Sequence, residues 1–289
     1  MNDAVGAVIV GVDGSEASGQ AVRWAAELAG QRRLPLRIVH AYGLSARYYS
    51  GDATLAAELH EAVEQGSAEL VAAAAEQARA TALIADIGVA TRDEAPTPVF
   101  IALSPDARMI VLGASGLGGF TGMLAGSTAM GTAASAACPV VVVRHPAGAA
   151  EPAAEGPVVV GVDGSPISER VIAVAFEEAS ARVAPLVAVH AWLDAEYESV
   201  FNRTHAFVTD DQRPLAERLA GWQEKYPDVQ VEPVVVRERP RHQLIERSRA
   251  ARLVVVGNRG CGGFTGSLLG STSRALLRHA ACPVLVVRP

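Results

Sequence analysis

The chain carries one sequence pattern twice, and this internal repeat restricts its fold more than any other feature. VIVGVDGS at 8–15 returns as VVVGVDGS at 158–165, an offset of 150 positions. Solenoid repeats have periods of roughly 20–50 residues, so this offset indicates a duplicated domain. The sequence therefore predicts two domains, at 1–144 and 157–289. The linker between them, 145–156, is rich in Pro, Ala, Gly and Glu.

Each copy alternates short apolar runs with helix-like stretches. In the first copy, helical spacing of Ala21, Ala25 and Leu28 and an alanine-rich stretch at 53–80 predict two helices. The apolar runs are nearly continuous, which is typical of strands that are covered on both faces. This order predicts two α/β domains, each a doubly wound parallel sheet with helices on both faces. The predicted strands of the first copy are 7–12, 36–41, 82–90, 108–112 and 139–143.

Charge and composition limit the classes of partner. The net charge of −6 disfavours nucleic acid, because phosphate backbones bind basic surfaces. The sequence has no apolar run of the roughly 18 residues that a membrane span needs and no basic leader, so we expect a cytoplasmic protein without a membrane partner. Lys225 is the only lysine. A phosphate site would therefore use backbone N–H groups, hydroxyls, arginine or a metal ion.

Two loops follow predicted strand ends, where doubly wound sheets bind ligands. The first loop is VDGS, which contains Asp13 or Asp163. Each aspartate has two interpretations, an Asx-turn that caps the next helix, or a carboxylate that binds ribose hydroxyls or positions a metal. The residues alone do not decide between these interpretations.

The second loop has the form G-x-x-G, nine residues, then G-S-T, and it occurs at 113–128 and again at 257–272. Glycines let the backbone approach a ligand, and the helix that follows begins with unpaired N–H groups and a positive dipole end. Phosphate is the usual occupant of such a site. The structural alternative is a pair of tight turns with Ser127 or Ser271 as a helix N-cap. A P-loop is excluded, because the motif has no lysine.

These motifs together resemble the universal stress protein family. G-x-x-G-9x-G-S, with VDGS upstream and CPV downstream, occurs in both halves. The resemblance implies two tandem five-stranded parallel sheets of order 3-2-1-4-5, with VDGS and the glycine loop side by side. The intact glycine motif implies the ATP-binding branch, with Mg²⁺ carried mainly by the ATP phosphates and with no metal ligands from the protein.

The resemblance also implies which residues bind the nucleotide. The aspartate approaches the nucleoside, backbone at the end of the second strand contacts adenine, and the glycine loop with G-S-T holds the phosphates. In the first half these cofactor-binding positions are Gly11, Asp13, Ala41, Gly113, Gly116, Gly118, Gly119, Gly126, Ser127 and Thr128. In the second half they are Gly161, Asp163, Ala191, Gly257, Arg259, Gly260, Gly262, Gly263, Gly270, Ser271 and Thr272.

The two halves differ at the phosphate end, which predicts unequal sites. Arg259 and Arg274 of the second half are replaced by Ser115 and Met130 in the first. The first site should therefore bind ATP more weakly, or stand empty. The resemblance further implies that the fifth strands, 139–143 and 283–287, pair within the chain, and that chains form homodimers.

Three functions fit these expectations. The first is an ATP-binding regulator of stress response or growth state, read by an unknown protein partner. The second is a slow ATPase, although the sequence offers no catalytic base beyond Asp13 and Asp163. The third is a scaffold that binds no nucleotide. His40 and His190, at the predicted strand ends, are interpreted as structural, and the basic segment 237–252 as a solvated helix face or a docking patch.

Overall fold

The computed structural model describes residues 5–43, 53–116, 125–144, 156–192, 213–237, 240–260 and 269–289. The chain divides into two compact units, Met1–Val143 and Arg144–Pro289. Of the predicted linker 145–156, all but the last residue lies outside the described ranges. No helix within those ranges is long and apolar enough to cross a membrane.

The first unit is a five-stranded parallel sheet with helices between the strands. Its strand order is β3-β2-β1-β4-β5, so the predicted order 3-2-1-4-5 is confirmed. The elements are β1 (Val8–Gly11), α1 (Glu16–Arg32), β2 (Leu36–Ala41), α2 (Ala53–Thr81), β3 (Ile87–Arg92), α3 (Pro96–Leu103), β4 (Met109–Gly113), α4 (Ser127–Ser135) and β5 (Val140–Val143).

The second unit repeats this architecture. Its strands are ordered β8-β7-β6-β9-β10 and pair in parallel, which is the same order as in the first unit. The elements are β6 (Val158–Val162), α5 (Ser168–Ala181), β7 (Leu186–Trp192), α6 (Arg213–Lys225), β8 (Val231–Arg237), α7 (Pro240–Ser248), β9 (Leu253–Gly257), α8 (Ser271–His279) and β10 (Val284–Val287).

Apolar residues on both faces of the strands explain the layered fold. Every residue of β1, β5 and β10 is buried, because helices cover both faces of a parallel sheet. In the first unit α1 packs against α2, and α3 packs against α4. The predicted apolar stripe of α1 is buried, including Ala21, Ala25 and Leu28. The sequence thus determines the fold through buried strands and amphipathic helices.

The third strand of the first unit was predicted wrongly at its beginning. The prediction placed it at 82–90, whereas α2 continues to Thr81 and β3 begins only at Ile87. The apolar run ALIA at 82–85 suggested a buried strand. Leu83 is instead 99% exposed in the connection between α2 and β3. Asp86 then accepts a hydrogen bond from Arg37 of β2 at 2.7 Å, directly before the strand begins.

Candidate functional site

The candidate site lies where the strand order of the first sheet reverses. β1 has β2 on one side and β4 on the other, so the loops that follow β1 and β4 leave the same edge of the sheet side by side. These are the VDGS loop and the glycine loop. β6 and β9 bring the equivalent loops together in the second unit. The fold therefore places both motifs at one edge in each unit.

The VDGS loop forms an Asx-turn in both units. Asp13 Oδ1 accepts from the Ser15 N–H at 3.0 Å and from the Ser15 hydroxyl at 2.6 Å. Asp163 Oδ1 accepts from the N–H and hydroxyl of Ser165 at the same two distances. The glycine between them is left-handed, with φ of +85° at Gly14. The Asx-turns are confirmed, but the aspartates do not cap the next helix: Ser15 is the N-cap of α1, and no side chain caps α5. The interpretation of the carboxylates as nucleoside ligands stays a prediction.

The second carboxylate oxygen of each aspartate points towards the glycine loop. A β carbon at Gly116 would overlap Asp13 Oδ2, and a β carbon at Gly260 would overlap Asp163 Oδ2. The Ser15 hydroxyl also lies 3.3 Å from the carbonyl oxygen of Ser115. The aspartate therefore serves the turn through one oxygen and contacts the glycine loop through the other.

Glycines, not serines, cap the helices that follow the glycine loops. Gly126 is the N-cap of α4 and Gly270 is the N-cap of α8, so no side chain caps either helix. The structural alternative with Ser127 or Ser271 as the N-cap is wrong, because each serine is the first helical residue. The first intrahelical bond of α4 runs from the N–H of Met130 to the Gly126 carbonyl at 3.0 Å. The N–H groups of residues 127–129 therefore precede the hydrogen-bonded ladder and resemble an anion site.

A cavity of about 400 Å³ joins these features in the first unit. It brings together eight of the predicted residues, namely Gly11, Asp13, Ala41, Gly113, Gly116, Gly126, Ser127 and Thr128. One end is formed by the glycine loop and the start of α4, and it is polar. The other end is formed by β1, β2, β4 and α3, and it is mostly apolar. A cavity of this size with polar and apolar walls can hold a small-molecule ligand.

Several residues of the cavity wall escaped the sequence analysis. Pro96 and Phe100 of α3, together with Leu112 of β4, line its apolar side. The available signal was the segment APTPVF, where a proline starts a helix directly after a strand of the same sheet. Phe100 lies far from both motifs in the sequence, and its helix contains neither of them.

The second unit reproduces these contacts, with some predicted residues outside the described ranges. Ala191 lies at the end of β7, where its backbone pairs with Val236 of β8. Gly161 lies next to Leu244 and Val256, just as Gly11 lies next to Phe100 and Leu112. Arg259 is exposed. The predicted positions Gly118, Gly119, Gly262 and Gly263 lie outside the described residues.

The two strand-end histidines support the VDGS loop. His40 Nδ1 lies 2.6 Å from the carbonyl oxygen of Val12, and His190 Nδ1 lies 2.8 Å from that of Val162. Each bond fixes the residue that directly precedes the loop aspartate. The structural interpretation of these histidines is therefore confirmed. Within the described ranges, no three His, Cys, Asp or Glu side chains come together as a metal site.

Comparison with known proteins agrees with this architecture. The model of the universal stress protein family matches residues 5–144 and 156–288. A universal stress protein of Mycobacterium tuberculosis is 41% identical over 286 residues, which cover 97% of this chain and 96% of the relative. The crystal structure of a universal stress protein from Archaeoglobus fulgidus has the same fold, with a TM-score of 0.67 and 18% identity over 98% of each chain. A universal stress protein solved in complex with cAMP aligns with 49% of this chain and 98% of its own, at 26% identity and a TM-score of 0.39. The chain therefore belongs to the universal stress protein family and carries one copy of the family domain in each half.

Proposed function

We propose that this chain is an ATP-binding regulator, with one nucleotide site in each unit. The cavity of about 400 Å³ between the VDGS loop and the glycine loop carries this proposal. It combines a helix start that no side chain caps with an apolar wall. A nucleoside triphosphate needs the first for its phosphates and the second for its base.

The residues present fit ATP end by end. The backbone N–H groups at the start of α4, with the hydroxyls of Ser127 and Thr128, would hold the phosphates. Val12, Phe100 and Leu112 offer an apolar surface for the base. Asp13 stands between these ends, where a ribose hydroxyl could donate to its carboxylate. Mg²⁺ would be carried mainly by the phosphates and would neutralise part of their charge.

A regulator fits the site better than an ATPase. Water attack on the γ-phosphate needs a positioned base. Oδ1 of Asp13 already accepts two hydrogen bonds within its own turn, and His40 Nδ1 contacts a backbone carbonyl. The bound nucleotide would instead set the conformation that a protein partner reads. We place this regulator in the cytoplasm as a homodimer.

The test begins with nucleotide released from the purified, denatured chain and quantified by chromatography. We expect ATP, up to two molecules per chain. ADP would favour the slow ATPase. If no nucleotide is released and added Mg-ATP does not bind, the result would favour a scaffold that binds no nucleotide.

A charge at the helix start then locates the phosphates. Ser127 is exposed, and a glutamate near a helix N-terminus is compatible with helix stability. Ser127→Glu should therefore fold normally but reduce ATP affinity of the first unit by about tenfold or more, through repulsion of the phosphates. Ser127→Gln, similar in size but neutral, is the matched control, and Ser271→Glu makes the same test in the second unit. Unchanged ATP affinity in Ser127→Glu and Ser271→Glu would show that the phosphates do not bind at the helix starts.

A further inference from the structure

The apolar walls of the two sites differ at two matched positions. Phe100 and Leu112 line the cavity of the first unit. Leu244 of α7 and Val256 of β9 occupy the equivalent positions in the second unit. They lie next to Gly161 as Phe100 and Leu112 lie next to Gly11. A smaller side chain therefore replaces a larger one at both positions.

The packing around the two glycines shows that the smaller pair leaves more room. A β carbon at Gly11 would overlap Leu112 Cδ2 and lie 2.5 Å from Phe100 Cζ. A β carbon at Gly161 would lie 3.0 Å from Leu244 Cδ1 and 3.2 Å from Val256 Cγ1. The neighbouring side chains of the second unit therefore do not move closer to Gly161 to fill the space that the smaller residues leave.

Apart from Arg259 and Arg274 at the phosphate end, the frame around the base is kept, so the difference next to the base falls on the apolar wall. Both units have the loop aspartate, an alanine at Ala41 or Ala191 in the second strand, and a proline that begins the helix after the third strand. The exposed fractions are also alike, 3% for Phe100 and for Leu244. Neither side chain has turned out of the fold. Together the two replacements remove about four side-chain carbons, and close-packed protein interiors respond to a change of one.

We propose that the second unit accepts purine nucleotides with an enlarged base, and that Phe100 and Leu112 restrict the first unit to unsubstituted adenine. This inference rests on the proposed function, because it assigns the base to the apolar wall. The chain would then have two nucleotide sites of different base specificity, set by one aromatic and one aliphatic side chain.

The probes are ATP and two ATP analogues that carry a butyl group, one on N6 and one on C2 of the base. Each unit is measured by calorimetry in full-length chains where the other site is weakened, the second site by Ser271→Glu with Arg259→Ser and the first site by Ser127→Glu. We expect ATP to bind in the second unit and at least one analogue to bind there within about threefold of ATP. In the first unit the same analogue should bind about tenfold or more weakly than ATP, the usual effect of extra carbons in a tight pocket.

Exchange of the wall residues completes the test. Leu244→Phe with Val256→Leu should raise the ratio of the Kd for the analogue to the Kd for ATP in the second unit by about tenfold or more, towards the ratio of the first unit. Phe100→Leu with Leu112→Val should admit the analogue to the first unit, and it keeps the test open if the first double variant fails to fold. Equal treatment of the analogues by both units, or no effect of the exchanges, would overturn the specificity proposal. Failure of ATP itself to bind would instead overturn the proposed function.

Discussion

Asp13 Oδ2 lies against Gly116 in the space where any other residue would place its β carbon. The same relation holds between Asp163 and Gly260. Glycine is therefore required at these positions by the neighbouring carboxylate, whether or not a ligand is bound. The contact joins the loop after β1 to the loop after β4 and so fixes one side of the site.

Replacement of this glycine should destabilise the first unit. We expect Gly116→Ala to cost about 1–3 kcal/mol, because the new β carbon must displace a carboxylate that its own turn holds in place. Urea unfolding measures the effect. The matched control is Gly66→Ala in the exposed middle of α2, where nothing lies within 4 Å of the added carbon. That variant should gain roughly 0.5–1 kcal/mol from helix propensity, and similar losses in both would refute the contact argument.

The glycines at the ends of β1 and β6 should respond differently to the same change. Gly11→Ala forces its methyl group into Leu112 and Phe100, whereas Gly161→Ala meets Leu244 and Val256 at 3.0 Å or more. We expect Gly11→Ala to be the more destabilising by about 1–2 kcal/mol, since overpacked cores yield only by shifting side chains. Thermal unfolding of the two variants gives the comparison. Equal losses would mean that the walls of the two units are equally tight.

Arg259 should make the second site the stronger of the two. It is exposed at the glycine loop, and Ser115 takes its place in the first unit. A charge-assisted bond to phosphate contributes about 1.5 kcal/mol or more, so Arg259→Ser should raise the Kd for ATP roughly tenfold. Ser115→Arg should lower the Kd of the first unit. Calorimetry on chains with the other site blocked measures both, and equal affinities of the unmodified sites would contradict the prediction.

Replacement of Val183 by glycine should increase the stability of the chain. It follows α5 with a φ of +49°, and its side chain is 93% exposed. Left-handed backbone is unfavourable for a β-branched residue, and glycine is the usual choice after a helix. We expect Val183→Gly to raise the free energy of unfolding by about 1 kcal/mol. Val183→Ala, which keeps a β carbon, should gain less, and a lower Tm for the glycine variant would be inconsistent with strain at this residue.

Cys282 should be unreactive in the folded chain. Burial raises the pKa of its thiol to about 12. At pH 8 roughly one thiol in ten thousand would then be ionised, and the thiolate is the reactive form. Mass spectrometry after brief treatment with iodoacetamide should find the Cys282 peptide unmodified, and modified once the chain is unfolded in urea. Rapid modification in the folded chain would show that the thiol is accessible.

The sequence predicted the fold well because the strands are continuously apolar and the motifs occur twice. The resemblance to the universal stress protein family supplied the strand order that places Asp13 beside the glycine loop, because both then follow neighbouring strands. The prediction failed at β3, where exposed Leu83 belongs to an apolar run that looks like a strand. It also missed Phe100, because no residue near either motif indicates that α3 contacts the end of β1.

The glycine caps of α4 and α8 leave both helix starts without a side-chain cap, where a bound ligand would stabilise the folded chain. A glycine cap is only a few tenths of a kcal/mol weaker than a serine cap, so the empty fold loses little by leaving the helix start open. A ligand that binds there only in the folded state adds RT ln(1 + [L]/Kd) to the free energy of unfolding. If that ligand is ATP, the free energy of unfolding would rise and fall with the nucleotide level of the cell.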